Sequence, residues 1–207
     1  MLEIYHAPRT RGFRPIWLCE ELGTPYQIVP VDMASTYRKG PEYRKLNPLG
    51  KVPALIDGDF TMFESGAIVQ YILDRYGDGR LQPEPGTAQH AMYLQWSWYA
   101  EATFSRPLGE IVNHKREFAD HPLPEVLDEM KSRSRVCAEA LDAALAENTW
   151  ILGDTFCAAD VMLGLTLRSY LRLMDEDLPG KVAPYWERLT QRPAYQRAID
   201  AETRAAA

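Results

Sequence analysis

The stretch NPLGKVPALIDGDFTMFESGAIVQYI, Asn47 to Ile72, decides how this chain folds. VPALID and FTMF are two short strands, and Asp57-Gly58-Asp59 between them is a strong hairpin turn. Glu64-Ser65-Gly66 then opens an apolar helix pattern that runs from Ser65 to about Tyr76, with Ser65 as its cap. A helix start is a seat for an anion, because free N–H groups and the helix dipole point there. The carboxylate of Glu64 stands directly beside that seat. Together they would meet an anion and a cation a few ångströms apart. The plain alternative is a Ser N-cap with an acid where the dipole favours one. Ser65 lacks a capping-box partner, since the third residue on is Ile68.

Upstream, LEIYHA (Leu2 to Ala7) reads as a strand ended by Pro8. RPIWLCEELG reads as a helix, with Pro15 in its first turn and Gly23 as C-terminal cap. YQIVPV (Tyr26 to Val31) is a second strand, and PEYRKLN is a weak helix stopped by Pro48. The order is β-α-β-α-β-β-α, an α/β layer with parallel pairing and an antiparallel hairpin at its edge. Downstream, GDGRLQPEPG (Gly77 to Gly86) is a linker rich in Gly and Pro, and strand patterns vanish after it. A long helix is expected to bend near Pro107-Leu108-Gly109. CAADVMLGLTLRSYLRLM is apolar nearly all round, which marks a buried helix. Two short helices follow, near Tyr185 to Gln191 and Ala194 to Ala201, and RAAA is expected as a frayed tail. The expected division is 1–77 for the α/β domain, 78–86 for the linker and 87–207 for an all-helical domain.

The chain has 207 residues and a formal net charge of −6, which argues against a nucleic-acid partner. Arg9, Arg11 and Arg14 nevertheless cluster in one short segment and leave room for a local basic pocket. Cys19, Cys137 and Cys157 are odd in number and far apart, as in reduced cytosolic proteins. No secretory signal, membrane span or metal-ligand spacing stands out.

These motifs resemble the cytosolic glutathione S-transferase family, a thioredoxin-like domain followed by an all-helical one. The stretch from Asn47 to Ile72 matches the family's N-P-x-G-x-V-P-x-L … E/D-S-x-A-I pattern almost residue for residue. APRTRGFRPIWLCEELG sits where the family keeps its catalytic loop and first helix, and LGDTFCAADVML is similar to its G-D-x-[FL]-S-x-A-D motif. The loop most resembles bacterial members. The last motif departs from the family in having Cys157 where Ser or Thr usually caps the helix. A weaker cap is expected there, helped by Asp160 bonding back to the cap N–H and by a Phe156–Val161 staple.

The resemblance implies glutathione as co-substrate, a small hydrophobic electrophile as partner, a cytoplasmic homodimer, and neither metal nor membrane. Glu64 would hold the ammonium and Ser65 with the helix start the carboxylate of the γ-glutamyl end. Val52, before a Pro53 that the resemblance implies is cis, would pair with the cysteinyl backbone. Lys51 and Asn47 are candidate contacts for the glycyl carboxylate, or surface residues. The thiol must be held as thiolate, and lowering its pKa by about 2 units takes ~2.7 kcal/mol. Thr10 stands at the family's hydroxyl position with Arg11 beside it. Both are also readable as a loop residue bonding its own backbone and a solvated charge. Tyr5 is the other donor, or a core aromatic, and Cys19 reads as packing. Tyr99, Thr103, Phe104, Arg106, Leu108 and Tyr170 are candidate walls of the electrophile pocket, or simply helical core. Two other activities stay open on this scaffold: a glutathione-dependent peroxidase or disulfide reductase, and a non-catalytic binding protein.

Overall fold

The computed structural model describes residues 1–34 and 36–205. They form two compact units, one of residues 1–81 together with those from Thr190 onward, the other Gln82–Leu189.

In the first unit the order is β1 (Leu2–His6), α1 (Phe13–Leu22), β2 (Tyr26–Pro30), a 3-10 turn (Tyr37–Lys39), α2 (Pro41–Leu46), β3 (Ala54–Asp57), β4 (Phe60–Phe63) and α3 (Ser65–Tyr76). The sheet runs β2-β1-β3-β4. Ile4 pairs with Ile28 in parallel and with Leu55 antiparallel, and Leu55 pairs onward with Met62. Alternation along β1 buries Leu2, Ile4 and His6. Against the sheet, α1 buries Ile16 and Leu18, and α3 buries Ile68 and Ile72. The hairpin turns at Gly58, whose φ of 60° suits a residue without a Cβ. Asp57 Oδ2 then accepts hydrogen bonds from the Tyr71 hydroxyl at 2.7 Å and the Tyr76 hydroxyl at 2.5 Å, which ties the hairpin to α3.

The expected elements are found here, with one correction at α3. Glu64, not Ser65, is the N-cap, and Ser65 is the first helical residue. Glu64 has φ 75° and ψ 111°, so the chain turns into the helix through a left-handed residue. No side-chain pattern signals that.

In the second unit, α4 (Ala88–Trp98) passes through a π-turn (Tyr99–Phe104) into α5 (Ser105–Glu117). The break therefore precedes Pro107, which lies inside α5. Proline lacks an N–H and its ring crowds the carbonyl four residues back, so the disruption falls on the turn before it. Next come α6 (Pro124–Ala144), α7 (Ala158–Met174) and α8 (Val182–Thr190). Every residue of α7 from Ala158 to Leu167 is buried, as its all-round apolarity requires. Asp160 caps it: Oδ2 accepts the Cys157 N–H at 2.8 Å, and Oδ1 accepts the Ile151 N–H at 3.0 Å and the Tyr185 hydroxyl at 2.7 Å.

The last helix, α9 (Pro193–Ala205), differs from the expected division. The sequence groups it with the helical half, but it packs on α1 of the first unit. Tyr195 meets Trp17 edge-on at 4.9 Å and Phe13 at 5.6 Å, and Arg192 forks onto Glu21 at 2.6 and 2.7 Å. α9 also reaches Ala205, further than the Ala194–Ala201 segment expected; the rest of the expected tail, Ala206 and Ala207, lies outside the described residues. Among the described residues no helix is long and apolar enough to cross a membrane.

Candidate functional site

The Val52-Pro53 bond is cis. The loop before it is held from below: the Tyr43 hydroxyl and Asn47 Nδ2 both donate to the Lys51 carbonyl, each at 2.8 Å. Asn47 is buried, so its amide braces the loop, whereas Lys51 is exposed. β3 begins at Ala54, which leaves Val52 outside the sheet ladder, with its backbone edge unclaimed by a strand. An extended peptide backbone fits such an edge.

Ser65 is 2% exposed, and its Oγ accepts from Arg14 Nη1 at 3.0 Å. Arg14 is wholly buried in α1. Burial, and then the charge of Arg11, push its pKa down to about 9, which leaves it a cation at neutral pH. Arg11 is exposed. Desolvation lowers its proton affinity, and the charge of Glu64 partly restores it. A buried guanidinium and the N-terminus of α3 thus converge at Ser65, with nearby Arg11 adding positive charge. Together they call for an anion. The exposed Glu64 carboxylate sits at the same helix start and suits a cation. The Glu64 backbone is strained, which costs about 1–3 kcal/mol. Such strain is a common mark of a ligand clamp.

The loop between β1 and α1 carries Thr10 and Arg11. Thr10 Oγ1 donates to the Ala7 carbonyl at 2.6 Å and lies 3.4 Å from His6 Nδ1. Arg9, at φ 62°, donates its N–H to Glu202 at 3.0 Å. Tyr5, the other candidate donor, is half-buried edge-on against Tyr43 at 6.1 Å. Burial and then Glu3 raise its pKa, as suits a packing aromatic. Cys19 is fully buried, and burial pushes its thiol up to about 12, as expected for packing.

The candidate pocket walls belong to the second unit. Thr103 and Arg106 are exposed. Phe104 is fully buried between Tyr99 at 6.1 Å and Tyr170 at 5.9 Å, and Leu108 is buried nearby in α5. The Tyr99 hydroxyl donates to the Cys137 carbonyl at 2.7 Å. Phe104, Leu108 and Tyr170 are therefore helical core, which leaves the half-buried Tyr99 and the exposed Thr103 and Arg106.

Sequence reasoning gave no role to Arg14, His6 or Glu202. The Arg9-Arg11-Arg14 cluster was a signal for the first. Nothing local signals a contact between His6 and Glu202, which are 196 residues apart.

Residues 1–74 match the family model described as glutathione S-transferase, N-terminal domain. The chain is 30% identical to glutathione S-transferase 3 of Zea mays over 97% of this chain and 94% of that protein. It is 25% identical to the disulfide-bond oxidoreductase YfcG of Escherichia coli, over 96% of this chain and 94% of the relative. Among solved structures, the glutathione transferase URE2P8 of Phanerochaete chrysosporium, determined with oxidized glutathione, superposes with a TM-score of 0.90 at 26% identity, covering 99% of this chain and 96% of that one. With the cis Val52-Pro53 bond, the Glu64-Ser65 helix start and a relative of this identity along nearly its whole length, the chain belongs to the glutathione S-transferase family.

Proposed function

We propose that the chain is a glutathione transferase that holds the glutathione thiolate for attack on a small hydrophobic electrophile. The observation that carries this reading is the charge arrangement at the start of α3. A buried Arg14 on Ser65 and a helix N-terminus suit the γ-glutamyl carboxylate, and the strained, exposed Glu64 suits the adjacent ammonium. Val52 supplies a backbone edge for the cysteinyl residue, and Lys51 a charge for the glycyl carboxylate. Thr10 and Arg11 are the groups that would face the sulfur. A cytoplasmic homodimer completes the reading, supported by family resemblance and by three free, buried cysteines.

Calorimetric titration with glutathione tests it. Glu64→Gln removes a charge-assisted bond of about 1.5–3 kcal/mol and should weaken binding roughly 10- to 150-fold. No glutathione binding by the wild type, or full affinity in this variant, would defeat the reading.

A second activity has one specific observation behind it. The Thr10 hydroxyl is turned onto the Ala7 carbonyl, leaving Arg11 and backbone N–H groups to face a sulfur, and a relative is a disulfide-bond oxidoreductase. Comparing turnover of aryl halides, peroxides and glutathione mixed disulfides separates the two.

A further inference from the structure

Beneath the β1–α1 loop, side chains from opposite ends of the chain form a line. Glu202 on α9 is 4% exposed, and its Oε1 lies 3.0 Å from His6 Nε2 while also accepting the Arg9 N–H at 3.0 Å. A carboxylate only accepts, so His6 Nε2 carries the proton. A neutral ring then has its lone pair on Nδ1. That atom faces Thr10 Oγ1 at 3.4 Å, and the Thr10 hydroxyl, which donates to the Ala7 carbonyl at 2.6 Å, turns from that carbonyl to the ring as the relay engages. Gly12 lies against the same atom: a Cβ there would stand 2.4 Å from Nδ1 and displace the ring. A hydroxyl, a base within reach and a third group orienting that base is the arrangement that moves protons at weakly acidic centres. A long hydrogen bond at the reacting end is usual before the substrate is seated.

We propose that Thr10, His6 and Glu202 form a relay that accepts the thiol proton of bound glutathione. The proposal rests on the glutathione reading above. In the step, the S–H bond breaks and its proton passes to Thr10 Oγ1 as the Thr10 proton passes to His6 Nδ1. Sulfur keeps the electron pair as thiolate, and the renewed Thr10 O–H donates to it. The imidazolium is balanced by the Glu202 carboxylate. The ring releases its proton to water or to the leaving group once the carbon–sulfur bond has formed. Thr10 touches the sulfur, whereas His6 and Glu202 act through it.

The relay makes a countable difference. Glutathione is mixed with the enzyme in weak buffer at mildly alkaline pH. Thiolate is read by its ultraviolet absorbance and proton release by an indicator dye. The wild type should release fewer protons than it forms thiolates. His6→Gln and Glu202→Gln should each release one proton per thiolate, while still binding glutathione by calorimetry. Their bound thiol pKa should rise by about 1 unit, or roughly tenfold less thiolate at neutral pH. Glu202→Gln differs little in size from the wild type and can also be read by 15N spectroscopy of the His6 ring. The wild type should show the Nε2–H form, and so should the variant, whose amide oxygen can accept the same His6 and Arg9 N–H groups but cannot balance an imidazolium. One proton released per thiolate in wild type and both variants overturns the relay and leaves the glutathione site standing. An Nδ1–H ring in the wild type overturns it as well. Absence of glutathione binding in the wild type overturns both readings.

Discussion

Glu64 carries two costs and one use. Its backbone sits at φ 75°, a conformation that a residue with a Cβ holds only at a cost of about 1–3 kcal/mol, and its carboxylate stands exposed at a helix start. Glycine removes the strain but loosens the unfolded chain by about 0.4–1 kcal/mol. Glu64→Gly should therefore leave stability equal or raise it by up to about 2 kcal/mol, while weakening glutathione binding at least as much as Glu64→Gln. Urea unfolding and calorimetry on the same samples check this. A variant clearly less stable than wild type would mean that the strain is absorbed elsewhere. Asp57 is the opposite kind of residue, since its carboxylate is stabilised by the fold. The Tyr76 hydroxyl foremost, then Tyr71 and Arg75, hold its pKa below the usual carboxylate value. A depressed acid contributes stability that is present above its ordinary pKa and is lost as pH falls through the folded one. The stability gap between wild type and Asp57→Asn should thus be constant near neutrality and shrink as pH drops below about 4. A gap that stays the same to low pH would remove the carboxylate from this role.

At the scale of elements, β3, β4 and α3 were legible because each is announced locally: the Asp57-Gly58-Asp59 turn, the alternation before it, the apolar helix after Glu64. The cap of α3 was not, because a left-handed φ at Glu64 leaves no trace in residue type when the residue is not glycine. The break in the second unit's long helix was legible as an event and misplaced by a turn, since Pro107 is visible but its effect falls on Tyr99–Phe104. At the candidate site, Glu64, Ser65, Val52 and Pro53 could be proposed from the sequence because a helix start beside an acid and an X-Pro turn are local patterns. His6 and Glu202 could not, because their meeting depends on where a distant helix docks. The cap of α7 mixes both cases. Cys157 is a poor acceptor by residue type, yet Asp160 satisfies three donors at once, two N–H groups and the Tyr185 hydroxyl. Asp160→Asn turns one acceptor into an N–H that faces the Cys157 N–H, leaving buried donors unmatched. It should cost about 2–4 kcal/mol, whereas Cys157→Ser should gain about 0.5–1 kcal/mol through a better cap. Thermal unfolding of the two variants decides it, and equal melting temperatures would show that neither group sets the strength of this cap.

For the molecule as a whole, the segment after Thr190 matters most, because the chain returns to its first unit at the end. α9 covers Phe13 and Trp17 with Tyr195 and carries Glu202 to the loop that holds Thr10, while Arg192, just before it, locks Glu21. An amphipathic helix at a terminus announces that it will bury one face but not which surface it will bury it against, so this closure could not be read from the order of elements. It also couples stability of the first unit to its chemistry. Tyr195→Ala removes a 5% exposed aromatic from against Trp17 and should cost about 3–5 kcal/mol. Arg197→Ala removes an ion pair with Glu20 from the same helix, but from an exposed side chain, and should cost under about 1 kcal/mol. If α9 positions the loop as well as covering the core, Tyr195→Ala should lower the fraction of bound glutathione present as thiolate even where the protein is fully folded by circular dichroism. Arg197→Ala should leave that fraction unchanged. Equal thiolate fractions in wild type and Tyr195→Ala would make α9 a cover for the core and nothing more.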